Sequence, residues 1–254
     1  MEKVTISALH EMKRQGQKIV GIVAWDFQIA QIADRSGAEI ISVGDSVGIN
    51  LWGRSDPSDV TVDEMIIVCS AVRRGTKRAL VSCDIPLGPL KTGVENVVRA
   101  AIRIVQEAGA DLVKLDQAAD FPDAVTAIVR AGVPVFAQFE MNQLRAEDVT
   151  AKLVADAKRL EAAGACLLDF KHSGPVAGPA VVSAVSIPVL GGLGGGPWLD
   201  GRIRMAHAAI GYAASGLESR TESYANVARL TLDALTAYGN DVRAGRQIKG
   251  GVQL

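Results

Sequence analysis

The fold that this 254-residue sequence predicts is α/β: a (βα)8 TIM barrel with an N-terminal helix and a C-terminal closing helix. Three observations predict it. Helical-period segments alternate with short apolar runs, each followed by a polar or glycine-rich turn, and such alternation builds right-handed βαβ crossovers and a parallel sheet. Hydrophobic residues make up 48% and aromatics only 4%, so the core is to be built from Ala, Val, Ile and Leu, as parallel sheets are. The length suits a single barrel, and no Pro/Gly-rich linker or low-complexity tract divides it, so residues 1–254 are expected to form one domain.

In chain order, ISALHEMKRQG (6–16) is an amphipathic helix able to plug the barrel's bottom. Strands follow at KIVGIVA (18–24), EIISV (39–43), ALVSC (79–83), LVKL (112–115), VPVFA (133–137), CLLDF (166–170) and IPVLG (187–191), each rich in aliphatic residues and bounded by turn formers. TVDEMIIVCSAVRRG (61–75) is a helix with Thr61 as N-cap and Glu64 three residues on, a capping box. AEDVTAKLVADAKRLEAAG (146–164) is a second clear helix. The eighth strand is placed at IRMAHAAI (203–210), which reads between strand and helix, and TESYANVARLTLDALTAYGNDVRAG (221–245) supplies the closing helix.

Several function classes are excluded at this point. The formal net charge of -1 is spread without a basic block, so the electrostatic footprint of a nucleic-acid binder is missing. No run is long or apolar enough to span a bilayer, and the charged, amphipathic start does not resemble a signal peptide. Cys69, Cys83 and Cys166 are isolated, without zinc or disulfide spacing, which suits a reducing cytoplasm.

Strand C-termini and the loops after them form the active face of such a barrel. They carry Asp45 and Ser46 after strand two, Asp84 after strand three, Lys114 and Asp116 at strand four, Gln138 after strand five and Asp169 ending strand six. An aspartate after a strand can simply cap the next helix. Carboxylates converging on one mouth, however, repel by roughly 4 kcal/mol per close pair at about 4 Å with an effective dielectric near ~20, unless a cation lies among them. Hard oxygen donors with no histidine at these positions point to Mg2+ that keeps some of its waters. Lys114, inside an otherwise apolar strand, requires partners. GGLGGGP (191–197) is either an anion-binding loop or a turn that needs positive φ. His10 and His207 read as structural, and His172 as a pocket-rim residue.

Taken in order, VGDS, KRALVSCD and VKLD, with AGADLVKLD, SIPVLGGLGGGPWLDG and YANVARLTLDAL, resemble the ketopantoate (3-methyl-2-oxobutanoate) hydroxymethyltransferase family of pantothenate biosynthesis, nearly end to end. The resemblance implies a barrel of the phosphoenolpyruvate mutase and isocitrate lyase superfamily, assembled as a homo-oligomer. It implies Mg2+ held by Asp45, Asp84 and Asp116, and a 2-oxo acid contacted by Asp45, Ser46, Asp84, Lys114 and Gln138. Asp169 falls where the family keeps its glutamate base, and Gln138 where it keeps a pocket histidine. The implied reaction passes a one-carbon unit from 5,10-methylenetetrahydrofolate to the enolate of 3-methyl-2-oxobutanoate or a related acid. Asp116 and Asp169 are each one methylene shorter than the family's glutamates, AQFEMNQL stands where the family carries GHxGLTPQ, and RAEDVTAKL starts the next helix where the family has a glycine-rich loop. Two other readings stay open: a Mg2+-dependent carbon-carbon lyase or aldolase without folate, and a non-catalytic binding or assembly homologue.

Overall fold

The computed structural model describes residues 2–140, 146–192, 195–218 and 223–246. Two compact units divide the chain, residues 1–204 and 205–254. The first holds the barrel. Its strands β1 (Ile19–Val23), β2 (Ile40–Val43), β3 (Leu80–Ile85), β4 (Leu112–Leu115), β5 (Val135–Glu140), β6 (Leu167–Lys171), β7 (Val189–Gly191) and β8 (Gly201–Met205) close in sequence order, and each pairs in parallel with the next.

Around them run α1 (Ile6–Arg14), α2 (Phe27–Arg35), the short α3 (Val47–Asn50), α4 (Val62–Gly75), the short α5 (Leu87–Leu90), α6 (Val94–Ala108), α7 (Pro122–Arg130), α8 (Ala146–Ala162) and α9 (Ala177–Ala184). The expected capping box is present at α4: the Thr61 hydroxyl accepts from the Glu64 N–H and the Glu64 carboxylate accepts from the Thr61 N–H. The same carboxylate pairs with Arg54, which stacks on Trp52 and so ties the loop after β2 to this helix. Among these groups, the Arg54 bond and the Thr61 bond draw the Glu64 carboxyl down to about 2.

Side chains alternate along each strand, so one set of residues lines the barrel. Ile19, Ile40, Leu80, Leu112, Phe136, Leu167, Leu190 and Ile203 form its apolar floor, and Val4 and Leu9 close it from beneath. The N-terminal helix therefore does plug the bottom. His10 Nε2 bonds the Cys166 carbonyl oxygen at 2.8 Å, and Lys13 Nζ donates to Ile187 O at 3.0 Å and Asp200 Oδ2 at 2.9 Å, which secures the plug. One step up, Ser42 and Ser82 are paired in register, and above them the lining turns charged.

Three of the departures from the sequence reading in strand bounds matter for the site and for closure. β3 and β5 run on to Ile85 and Glu140, so Asp84 and Gln138 lie within strands, their backbones held in the ladder. The eighth strand is Gly201–Met205, and Ala206–Ala209 are helical: the ambiguous segment is both, in succession. It begins at a glycine because a Cβ on Gly201 would lie 2.2 Å from the Ile19 carbonyl oxygen, an approach that only glycine permits.

The second unit contains α10 (Ala206–Ala209), a 3-10 turn at Ala214–Leu217 and α11 (Val227–Arg243), which matches the expected last helix. Asn226 caps α11 by accepting from the Arg229 N–H. The Val227 and Ala228 N–H groups donate to the carbonyls of Ile210 and Gly211. His207, expected on a strand, lies on α10 with its ring edge-on to Tyr212.

Candidate active site

Strand alternation and register bring the charged residues into one layer. Asp84 on β3 pairs in register with Lys114 on β4, and Gln138 on β5 with Asp169 on β6. Lys114 Nζ lies 3.5 Å from Asp84 Oδ1 and 3.3 Å from Asp169 Oδ2, with only 12% of its side chain exposed. Burial by itself would depress this ammonium, yet Asp84, Asp169, Asp116 and Asp45 together raise it above an ordinary lysine. Lys114 is thus a fixed positive charge between two carboxylates. Asp169 is almost fully buried, and its second oxygen, Oδ1, accepts from the Gly192 N–H at 2.9 Å. One amide of the glycine-rich loop is therefore used on a protein carboxylate; residues 193 and 194 lie outside the described residues.

Asp45 and Asp84 meet. The Asp45 N–H lies 3.4 Å from Asp84 Oδ2, and the turn between them is held by Trp25, whose indole N–H donates to the Gly44 carbonyl at 3.0 Å. A Cβ on Gly44 would meet the Ser46 hydroxyl at 2.9 Å and Asp84 Oδ2 at 3.7 Å, so glycine keeps open a small cradle between the two. Burial pushes the Asp84 carboxyl up to about 7, with Lys114 opposing and Asp45 and Asp116 adding to the rise. Asp45 is raised too, chiefly by burial. A buried carboxylate and a half-buried one that both resist ionising are electrostatically short of a cation.

Asp116 is close enough to raise both of these carboxyls, and it has partners of its own. Its Oδ1 accepts from the Gln138 side-chain amide and from the Gln117 N–H at 2.7 Å, and its Oδ2 lies 3.5 Å from Lys171 Nζ. The backbone explains this: Gln117 adopts φ 53°, folding its own amide back onto the carboxylate that precedes it. Among the described residues no cluster of three or more acidic, His or Cys side chains is arranged to hold an ion unaided. The donor set fits Mg2+ nonetheless, because Mg2+ takes one or two carboxylates and keeps waters or substrate oxygens elsewhere, and Asp84 and Asp45 could supply those two. Lys171 is the functional candidate that the sequence reading missed. Its signal was there, since it follows Asp169 by two residues and so shares its inward face. His172, just beyond, takes φ 52° at the rim.

With this geometry in view, comparison with known proteins gives a consistent result. Residues 3–247 match the family model described as ketopantoate hydroxymethyltransferase. The chain belongs to that family. A 3-methyl-2-oxobutanoate hydroxymethyltransferase from Salinibacter ruber (strain DSM 13855 / M31) is 34% identical over 255 residues, covering 96% of each chain. In fold, this hydroxymethyltransferase family member is similar to 2,3-dimethylmalate lyase, a phosphoenolpyruvate mutase and isocitrate lyase superfamily member, with TM-score 0.65 and 17% identity over 99% of this chain and 100% of that one. It is likewise similar to a phosphonopyruvate hydrolase solved with oxalate and Mg2+, with TM-score 0.63 and 15% identity over 96% of this chain and 88% of that one. Among the described residues no helix is long and apolar enough to cross a membrane.

Proposed function

We propose that the chain catalyses hydroxymethyl transfer to the C3 carbon of a 2-oxo acid, with Mg2+ at Asp84 and Asp45 and 5,10-methylenetetrahydrofolate as the one-carbon donor. The observation that carries this reading is Lys114 lying between Asp84 and Asp169, at 3.5 and 3.3 Å. A carboxylate suited to a cation and a carboxylate suited to a proton share one lysine at the barrel mouth. The relatives named for 3-methyl-2-oxobutanoate support the reaction class, and the Mg2+ and oxalate of the phosphonopyruvate hydrolase support a metal beside a small acid.

Bound Mg2+ supplies Lewis-acid stabilisation of negative charge developing on the keto oxygen. The chain's residues do the rest. The Ser46 hydroxyl and the cradle left by Gly44 orient the carboxylate end of the acid. Lys114 contacts its two aspartates at distances longer than strong charge-assisted bonds, so it is able to turn one N–H toward the incoming anion. That movement frees Asp169 Oδ2 to accept the C3 proton, while the Gly192 N–H holds Oδ1 and fixes the carboxylate plane. The C3 carbanion equivalent then bonds to the methylene carbon of the donor as one of that carbon's two bonds to folate nitrogen breaks, and the second breaks in the next step. Water supplies the hydroxyl as tetrahydrofolate leaves.

Incubation with 3-methyl-2-oxobutanoate and Mg2+ in D2O, without folate, tests the first half of this sequence. Loss of the C3 proton signal by NMR is expected from the wild type and not from Asp169→Asn, which should still bind the acid. Equal exchange by the two proteins removes Asp169 as the base. Absence of exchange with every 2-oxo acid tried defeats the reading.

A further inference from the structure

We propose that Lys171 anchors a second anionic group on the acceptor, so that the acid this site takes is a short 2-oxo diacid. The inference rests on the 2-oxo acid reading and adds the chemistry of the acceptor's distal end.

Lys171 and Asp169 occupy the same face of β6 two residues apart, a step of about 7 Å along the strand, which sets the Lys171 backbone one layer outward of the base. From there its side chain reaches across β5 to β4, ending 3.5 Å from Asp116 Oδ2. That contact is longer than the ~2.7–2.9 Å of a good ammonium-carboxylate bond. Asp116 does not depend on it, because Gln138 and the Gln117 N–H already fill the other oxygen. The ammonium has three donors, one loose partner and 23% of its side chain exposed at the mouth. Lys114, one layer below, already serves both Asp84 and Asp169.

The wall beneath Lys171 argues in the same direction. Gln138 is 2% exposed, its amide nitrogen is held by Asp116, and its Oε1 has no hydrogen-bond partner. A branched apolar chain lying over Gln138, Asp116 and Lys171 would strip water from all three and return no hydrogen bond. A chain that ends in a carboxylate supplies the acceptor that the ammonium lacks and leaves room for a water on Gln138 Oε1. Left-handed residues follow both members of the outer pair, Gln117 after Asp116 and His172 after Lys171. Such backbone at the ends of β4 and β6, with β5 between them, fixes where each member of the pair leaves its strand.

The test is calorimetric binding, with Mg2+ present, of 2-oxoglutarate and of 2-oxopentanoate, acids of equal chain length that differ in the terminal carboxylate. The wild type is expected to prefer the diacid by about tenfold or more, with the preference shrinking as salt is raised. Lys171→Met should remove most of that ratio, and Lys171→Arg should retain it. Equal affinity of the wild type for the two acids overturns the proposal. So does a Lys171→Met protein that loses affinity for both alike, which would make Lys171 only a counter-ion for Asp116. If Lys171→Met does not fold, the wild-type ratio and its salt dependence decide. C3 exchange of the monoacid without any preference for the diacid defeats this inference alone, whereas binding and exchange of neither acid defeats the parent reading along with it.

Discussion

In the proposed site Asp84 would link proton binding, metal binding and stability. Its carboxyl is pushed up to about 7 by burial, against an ordinary value of 3.8. Without metal, between about pH 4 and about pH 7, the folded chain therefore holds a proton at Asp84 that the unfolded chain has released. Folded stability must fall as pH rises through that window and level off above it. A shift of about 3 units corresponds to at most about 4 kcal/mol across the window. Asp45, raised in the same direction, adds a slope of the same sign. Mg2+ requires the ionised carboxylates, so its affinity should be about tenfold weaker at pH 6 than at pH 8, with a proton released on binding below pH 7. At a hundredfold excess over its dissociation constant it should restore about 2.7 kcal/mol. Urea unfolding from about pH 4 to about pH 8 in EDTA, with wild type and Asp84→Asn side by side, measures the slope; calorimetry in two buffers of different ionisation enthalpy measures the proton. Asp84→Asn should lose most of the slope. Parallel pH profiles for the two proteins, or Mg2+ affinity independent of pH, would refute the assignment of this buried carboxylate to the cation.

Lys114→Met removes the charge shared by Asp84 and Asp169, and should destabilise the metal-free protein by roughly 3–5 kcal/mol at neutral pH, with less effect near pH 5 where Asp84 keeps its proton. A loss below about 1 kcal/mol in urea unfolding would mean that the three groups are not mutually buried. Gly201→Ala forces a methyl group against the Ile19 carbonyl, 2.2 Å from where its carbon would sit, and should cost on the order of 3 kcal/mol by disturbing the β1 and β8 seam. An unchanged melting temperature would mean that β1 and β8 do not approach this closely at Gly201.

Much of this protein was legible in one dimension, because the signals concerned are local. Thr61 and Glu64 are three residues apart, so their capping box depends on one helical turn and nothing else. The apolar runs that became β1 to β7 are recognisable by composition, since a strand buried on both faces has little polar surface to show. The rule that chemistry sits at strand C-termini was enough to put Asp45, Asp84, Lys114 and Asp169 on one face of the barrel. Distances between strands were beyond its reach. Whether Asp116 faces the cation or an amide depends on the left-handed turn at Gln117 and on how far β5 extends to present Gln138. The role of Lys171 depends on a side chain crossing a neighbouring strand. The eighth strand needed the closed barrel to appear, because the reason for Gly201 is the carbonyl of Ile19, nearly the whole chain away. Contacts between residues far apart along the chain are set by closure of the sheet, and no period or spacing encodes them.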